Sequence, residues 1–361
     1  MNKDRLYLDI HAIQTLPPSN VNRDDTGSPK TARYGGVTRA RVSSQAWKKA
    51  MRDYFRVFGP KAGVGIRTKK VPEYVAQKIC EKDSSVSMDD AMKKAENLLK
   101  AMKLKTNKDG ELDALFFLGK KQAERLAEAA LAGEKDKTVL DKILKESPEI
   151  DIALFGRMVA DDPMINEDAS SQVAHAISTH EVRTEYDYYT GKDDLASDDQ
   201  PKTRMVGTVE FNSSTLYRYA NVGIHEFLRQ MGDKKEDTIQ ALRLYIEAFA
   251  LSMPTGKSNS FANQTVPQAI LVTLRDDRPV SLVSAFEDPV KAKDGYTAAS
   301  IHRLFAENTR AEKFVHKPVA SWCVLTEDVL SNEEKSNFDG TKEESLAQLL
   351  DAMARKLGEL L

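Results

Sequence analysis

The chain has 361 residues, long enough for two domains or for one core carrying a large insertion. Its 53 Lys and Arg nearly balance 55 Asp and Glu, so a polyanion-binding surface has to be a local patch rather than the whole protein. The two cysteines, Cys80 and Cys323, lie far apart, offer neither a disulfide framework nor zinc spacing, and suit a reducing cytosol. With no signal-type segment at the start and no apolar run of membrane-span length, a soluble cytoplasmic protein is expected.

Leu6 to Ile13 alternates as a strand, with Leu6, Leu8, Ile10 and Ala12 against Tyr7, Asp9, His11 and Ile13. A polar loop follows, with Gly27, Pro29, Gly35 and Gly36. Glycine there permits a sharp turn or the close approach of another backbone. Thr38 to Val42 reads as a short strand. Ser43 and Ser44 are good N-caps for the helix QAWKKAMRDYFRVF. At about 100° per residue, Trp47, Ala50, Met51, Tyr54 and Phe58 share one face, and Gln45, Lys48, Lys49 and Arg52 the other.

From Lys30 to Arg52 there are seven Lys or Arg and no Asp or Glu. Cations beside a helix N-terminus, with its free N–H groups, make a phosphate-binding arrangement. A solvated helix face gives the same amphipathic pattern. The glycine loop and the acid-free strand beside it favour a polyanion. Asp24 and Asp25 are the best paired carboxylates. They would either ligate magnesium or pin the loop through Arg23 and its neighbours, and pinning is the simpler role.

From about Gly59 to Thr179 the composition turns helical and charged, as an inserted helical subdomain would. Its last helix sets Lys135, Lys142 and Lys145 opposite Leu140, Ile143 and Leu144, a solvated face or a binding face. DIALFGRM then opens an apolar, strand-like run before a polar loop. His175 and His180, five apart, are wrongly spaced for two ligands on one helical face and read as structural.

Tyr186 to Arg204 is aromatic at its base. Its tip is acidic, with Asp193, Asp194, Asp198 and Asp199, and should protrude. Tyr188 and Tyr189 would stack on a base or pack in a core. Met205 to Val222 is the clearest long strand, with a bend at 212–214, and two helices follow. Gly256, Lys257 and Ser258 resemble a phosphate-contacting turn without P-loop spacing. Ala269 to Leu274 and Val280 to Ala285 read as a hairpin. A helical stretch at 296–316, a strand from Ala320 to Leu325 and a helix from about Lys342 complete the chain. This order implies an α+β fold: an antiparallel, ferredoxin-like sheet with helices on one face. There is no zinc motif, GxSxG elbow or dinucleotide fingerprint, which tilts the reading toward a binding protein.

NRDDTGSPKTARYGG followed by RARVSSQAWKKAMR resembles the CasC-type backbone subunit of type I-E CRISPR surveillance complexes (Cascade), within the CRISPR-associated RAMP superfamily. DIALFGRM, AHAISTHEV, FNSSTLYRYANV, PTGK with FANQ, and AFEDPVKAKDGY follow in the family's order. The resemblance implies an RRM-like palm (1–58 and 207–361), helical fingers (59–180) and a protruding β-hairpin thumb (181–206). It implies a protein that binds without cutting and needs no cofactor or metal. Copies line up along one CRISPR RNA guide, each thumb kinks the strand, and the bases between kinks pair with target DNA. Partners would be other copies, the large and small subunits, the guide-processing endonuclease and the subunit capping the 5′ handle, with no membrane.

By position in the motifs, Arg23, Lys30, Ser43, Gln45, Lys48, Lys49 and Arg52 would contact the guide, with Lys257 beside them. Met158 and Tyr189 would wedge beside the kinked nucleotide. Lys135, Lys137, Lys142 and Lys145 would touch duplex DNA. The rival is a related backbone subunit that cuts RNA with a metal held by Asp24 or Asp25, as in type III complexes. A third class, a cytosolic enzyme with an α+β core, would carry over no nucleic acid.

A phosphate grip is blind to base sequence. Lys48→Ala should therefore weaken binding equally for unrelated single-stranded RNAs and lower the salt slope of log K by about 0.7 for the one phosphate it no longer neutralises. Filter binding across a salt series on two unrelated RNAs checks this, and a loss confined to one sequence contradicts it.

Overall fold

The computed structural model describes residues 5–59, 63–146, 148–159, 162–191 and 205–361. The chain opens with β1 (Tyr7–Ser19), β2 (Thr31–Tyr34), β3 (Val37–Val42) and α1 (Ser44–Phe58). Then come β4 (Ile66–Thr68), α2 (Val71–Lys82), α3 (Met88–Ala101), β5 (Phe116–Leu118), α4 (Lys120–Leu131), α5 (Lys137–Lys145) and α6 (Ile150–Phe155). Strands β6 (Ser171–Val173), β7 (Ala176–Ser178), β8 (Glu185–Gly191) and β9 (Met205–Gly223) lead to α7 (Ile224–Gln230), α8 (Lys235–Leu251) and α9 (Ser258–Phe261). Last are β10 (Ala269–Arg275), α10 (Thr297–Ala311), β11 (Ala320–Leu325), α11 (Asn332–Asn337), β12 (Thr341–Lys342) and α12 (Leu346–Leu360).

The main sheet runs β12-β11-β10-β1-β9-β7-β3-β2, with β6 and β8 also on β9. It is antiparallel except for the short β11–β12 pair. β1 is the hub, running from Tyr7 opposite Arg275 to Ile13 opposite Ala269 on one side, and along β9 on the other. The expected bend at 212–214 is a register shift between Leu16 opposite Ser214 and Ser19 opposite Asn212.

The fold is α+β with an antiparallel, ferredoxin-like palm, but helices cover both faces of the sheet rather than one. On one face, α1, α8 and α12 bring Phe55, Phe249 and Met353 onto Leu8, Ile10 and Val272. On the other, Phe286, Ile301 and Leu304 pack on Ile13, Tyr217 and Leu271. The polar alternates of β1 are therefore buried too, and each needs a partner. The Asp9 carboxylate accepts from Tyr219 Oη at 2.8 Å and lies 3.2 Å from Arg275 Nε. His11 Nδ1 meets Tyr217 Oη at 3.0 Å. Burial pushes the Asp9 carboxyl up to about 6 and His11 down to about 3.

The expected hairpin from Val280 to Ala285 does not form. Both edges of β10 are already occupied by β1 and β11. The segment instead crosses the sheet face. Val280 N–H donates to Asp9 Oδ2 at 2.9 Å and Leu282 N–H to Tyr217 Oη at 2.9 Å. The apolar run after Glu149 is likewise the helix α6, not a strand, closed by Gly156 at φ +79°. The inserted helices α2 to α5 build a separate apolar core from Val75, Ile79, Leu98, Leu126, Leu140 and Leu144. The β8–β9 hairpin stands off the sheet from Glu185 opposite Phe211 to Gly191 opposite Met205. The acidic tip, with Asp193, Asp194, Asp198 and Asp199, falls outside the described residues.

β3 has a hairpin partner, β2, joined by Gly35 and Gly36 at φ +59° and +80°. Both central residues are left-handed, as a two-residue turn of this twist requires. Gly35 serves both roles expected of these glycines: a Cβ there would lie 1.6 Å from the Glu287 carbonyl oxygen, whereas at Gly36 it would meet open space. Gly36→Ala should cost about 1 kcal/mol through backbone strain alone. Gly35→Ala should cost at least about twice that, because Glu287 has to shift as well. Urea denaturation of the two variants checks this; equal losses would contradict the close approach.

Candidate nucleic-acid interface

The loop before β2 is knotted to its surroundings by side chains. Asp24 Oδ1 accepts from Thr26 N–H at 3.0 Å, Thr26 Oγ1 at 2.7 Å and Ser28 N–H at 3.0 Å, which holds its carboxyl below the usual range. Asp24 thus pins the loop through Thr26 and Ser28, not through Arg23. Asn20 Nδ2 donates to Gly27 O at 3.0 Å and to Glu210 O at 2.8 Å, tying the loop to the root of the β8–β9 hairpin. Asn22 Oδ1 accepts from Ser43 N–H at 2.8 Å, tying it to the start of α1. Gly256 presses on the same loop, since a Cβ there would lie 2.2 Å from Val21 O. Exposed Lys257 follows that glycine, and exposed Arg23 and half-buried Lys30 lie on the loop it presses against.

Ser43 caps α1, its Oγ accepting from Ala46 N–H at 3.3 Å, and no acid sits in the first turn. The orientation of the helix is set by a buried arginine. Arg218 of β9 stacks 3.6 Å from the centroid of the Trp47 ring and 4.3 Å from that of Phe249. It also donates to Gln14 Oε1 and Phe249 O. Trp47, Ala50, Met51 and Phe55 face the core. Phe58, expected with them, is 64% exposed and rests on Tyr54 instead.

With that face fixed, Gln45, Lys48, Lys49 and Arg52 line a groove of about 960 Å³. Its other wall comes from the chain after α6 and carries Met158, 84% exposed. So five residues proposed from the sequence meet in one place. Arg23, Lys30, Ser43 and Lys257 are not among its lining residues; Ser43 caps the helix, and the loop that carries Arg23 and Lys30 is tied to that cap through Asn22. Tyr189 sits apart on β8, its ring lying across Gly207 of the facing strand, where a Cβ would be 2.4 Å from the ring.

The cations are not equivalent. Lys48 lies 5.6 Å from the Phe155 ring centroid, and burial there lowers its pKa. Lys49 pairs with Asp53 at 2.6 Å. Arg52 is mostly committed: its Nε is 3.1 Å from Asp151 Oδ2, and its guanidinium lies 4.2 Å from the Phe117 ring centroid. Of the seven-cation block, Arg39 is fully buried and donates to the carbonyls of Tyr34, Ser178, Phe286 and Glu287, so it is structural. His175 meets Arg41 Nη1 at 3.1 Å, and His180 stacks 3.6 Å from Tyr296, structural roles as expected. Among the described residues no group of three His, Cys, Asp or Glu is placed to hold a metal.

On the fingers, Lys142 and Lys145 are exposed on α5. Lys135 precedes the helix, whose cap is Asp136, because that aspartate accepts from Thr138 N–H. Lys137 is held between Asp141 and Asp162. Two exposed cations of the groove were not singled out by the sequence pattern. Arg56 continues the Gln45–Arg52 row by one turn and was legible. Arg67 of β4 had no local signal, since only the folding of the fingers brings it to α1.

The fold is similar to that of chains in solved CRISPR surveillance complexes. One solved chain, described as "CRISPR RNA-guided surveillance complex, pre-nicking", is 30% identical with a TM-score of 0.84, covering 97% of this chain and 100% of that one. Another, described as "CRISPR RNA-guided surveillance complex", is 27% identical with a TM-score of 0.75, covering 97% and 99%. A search of curated protein sequences gives no match. The model of the CT1975-like proteins matches residues 8–352, and the chain belongs to that family. The resemblance to CasC-type backbone subunits holds. No helix among the described residues is long and apolar enough to cross a membrane.

Arg52→Ala should cost about 2–3 kcal/mol of stability, because it strands the buried Asp151 carboxylate. Lys48→Ala should cost about 1 kcal/mol or less. Chemical denaturation separates the two, and equal stabilities would mean that the Arg52–Asp151 pair carries no structural weight.

Proposed function

We propose that this protein is a non-catalytic, guide-binding backbone subunit of a type I-E surveillance complex. Copies polymerise along one CRISPR RNA and present its bases for pairing with target DNA. The observation that carries this reading is the groove itself. The acid-free first turn and cationic face of α1 stand opposite the exposed Met158, and the loop that carries Arg23 and Lys30 is tied to the start of α1 through Asn22 and packed against Gly256 through Val21. Such a site grips phosphates and wedges an apolar side chain beside a base. It reads no base edges, as a protein serving any guide sequence requires. The solved chains that share the fold belong to complexes described as RNA-guided.

In this reading Tyr189 wedges from the hairpin. Lys135, Lys142 and Lys145 give the fingers a diffuse attraction for duplex DNA, with Lys137 held back by its two aspartates. The engagement of Asp24 within its own turn supports binding without cutting. The other subunits, large, small, guide-processing and 5′-capping, act around this filament in the cytoplasm.

Protein purified alone at low salt should carry RNA of mixed sequence, with a raised 260/280 nm absorbance ratio and particles much larger than one chain. If it emerges RNA-free and does not assemble when a guide is added, the reading fails. A metal-dependent RNA cleavage that disappears when Asp24 and Asp25 are both replaced by alanine would overturn its non-catalytic part.

A further inference from the structure

The groove does not stop where the family motif stops. Gln45, Lys48, Arg52 and Arg56 form one row along α1, spaced by three or four residues, or about 4.5–6 Å of rise. At the level of Arg52 and Arg56 the wall changes hands. β4 of the fingers enters, carrying Arg67, with Leu115 and Phe117 beside it. Arg67 is exposed, and among the described residues no carboxylate forms an ion pair with it. Among the described residues Arg56 pairs only with Asp53, at 3.1 Å, and Asp53 is shared with Lys49. Such exposed pairs are weak and readily exchanged for a stronger anion. Arg52, between them, is neutralised by buried Asp151. Arg56 and Arg67 are both close enough to Arg52 for their charges to disfavour its protonated form. This is a guanidinium cluster at the seam of palm and fingers, in which Arg52 is held by a buried carboxylate, Arg56 by an exposed one, and Arg67 by none among the described residues. Glu167 and Asp168 occupy the opposite wall, so an anion is confined to the α1–β4 side.

We propose that Arg56 and Arg67 form a second phosphate subsite, one turn beyond the guide row, that carries a single RNA strand from the palm onto the fingers. The inference rests on the guide-binding reading and extends it. Guanidinium forks suit a phosphodiester, which they grip bidentately. Asp53 acts as the subsite's occupant when no strand is bound.

The test uses the full chain, oligo(U) RNA as probe and filter binding across a salt series, with thermal melting to confirm folding. Arg67→Gln should weaken binding about tenfold and lower the salt slope by about 0.7, as should Arg56→Gln. Arg67→Lys should restore the slope. Asp53→Asn should tighten binding, because it frees Arg56 and Lys49. If Lys48→Ala lowers the slope while the Arg56 and Arg67 variants bind as the parent does, the subsite is overturned and the guide groove stands. If Arg67→Gln impairs duplex DNA binding but not oligo(U), the subsite as assigned is overturned. If the parent protein binds no RNA at low salt, both readings fall.

Discussion

From Tyr7 to Ile13, strand β1 has neither a free edge nor a free face. There β9 and β10 take its two edges and helices take its two faces, so its buried polar side chains draw their partners from within the protein. Much of the molecule follows from that. Asp9 engages Arg275, Tyr219 and the crossing segment at Val280. That segment reaches Glu287, against which Gly35 turns the β2–β3 hairpin. Gln14 accepts from Arg218, and Arg218 presents its flat guanidinium to Trp47. A constraint at the centre of the sheet thus fixes the roll of α1, and with it which side chains meet solvent.

The interface combines that rigid helix with a loop tied at three points: to the hairpin root through Asn20, to the helix cap through Asn22, and to the Lys257 turn through Val21. A helix N-terminus offers its N–H groups to an anion only when its first turn is free of acids, as here. Positioning of the loop by backbone and by short polar side chains leaves Lys30 and Lys257 without an ion pair among the described residues, whereas Lys49 and Arg52 on the helix are paired.

The sequence announced α1 and its two faces because helical period and amphipathic pattern are local signals. It announced β9 and β11 for the same reason. What it could not announce was occupancy. Val280 to Ala285 has a strand's composition, yet β10 had no edge left to offer it. Arg39 and Arg52 look like any other basic residue in the block, but one is consumed by four carbonyls and the other by Asp151, a partner 99 positions away. Arg67 enters the groove only through the folding of a separate core. The motif-based resemblance supplied Met158 and Tyr189, which no period or charge count would single out.

The protruding hairpin is not an appendage joined by a hinge. Its second strand is the outer part of β9, a single strand of 19 residues that continues into the middle of the sheet and ends at Gly223. There it pairs with β1 from Leu16 to Tyr7. Tension applied along the hairpin runs down that strand into the ladder lengthwise. The β1–β9 hydrogen bonds then bear it in shear, side by side, instead of unzipping in turn, and the hairpin is anchored mechanically in the central ladder of the sheet.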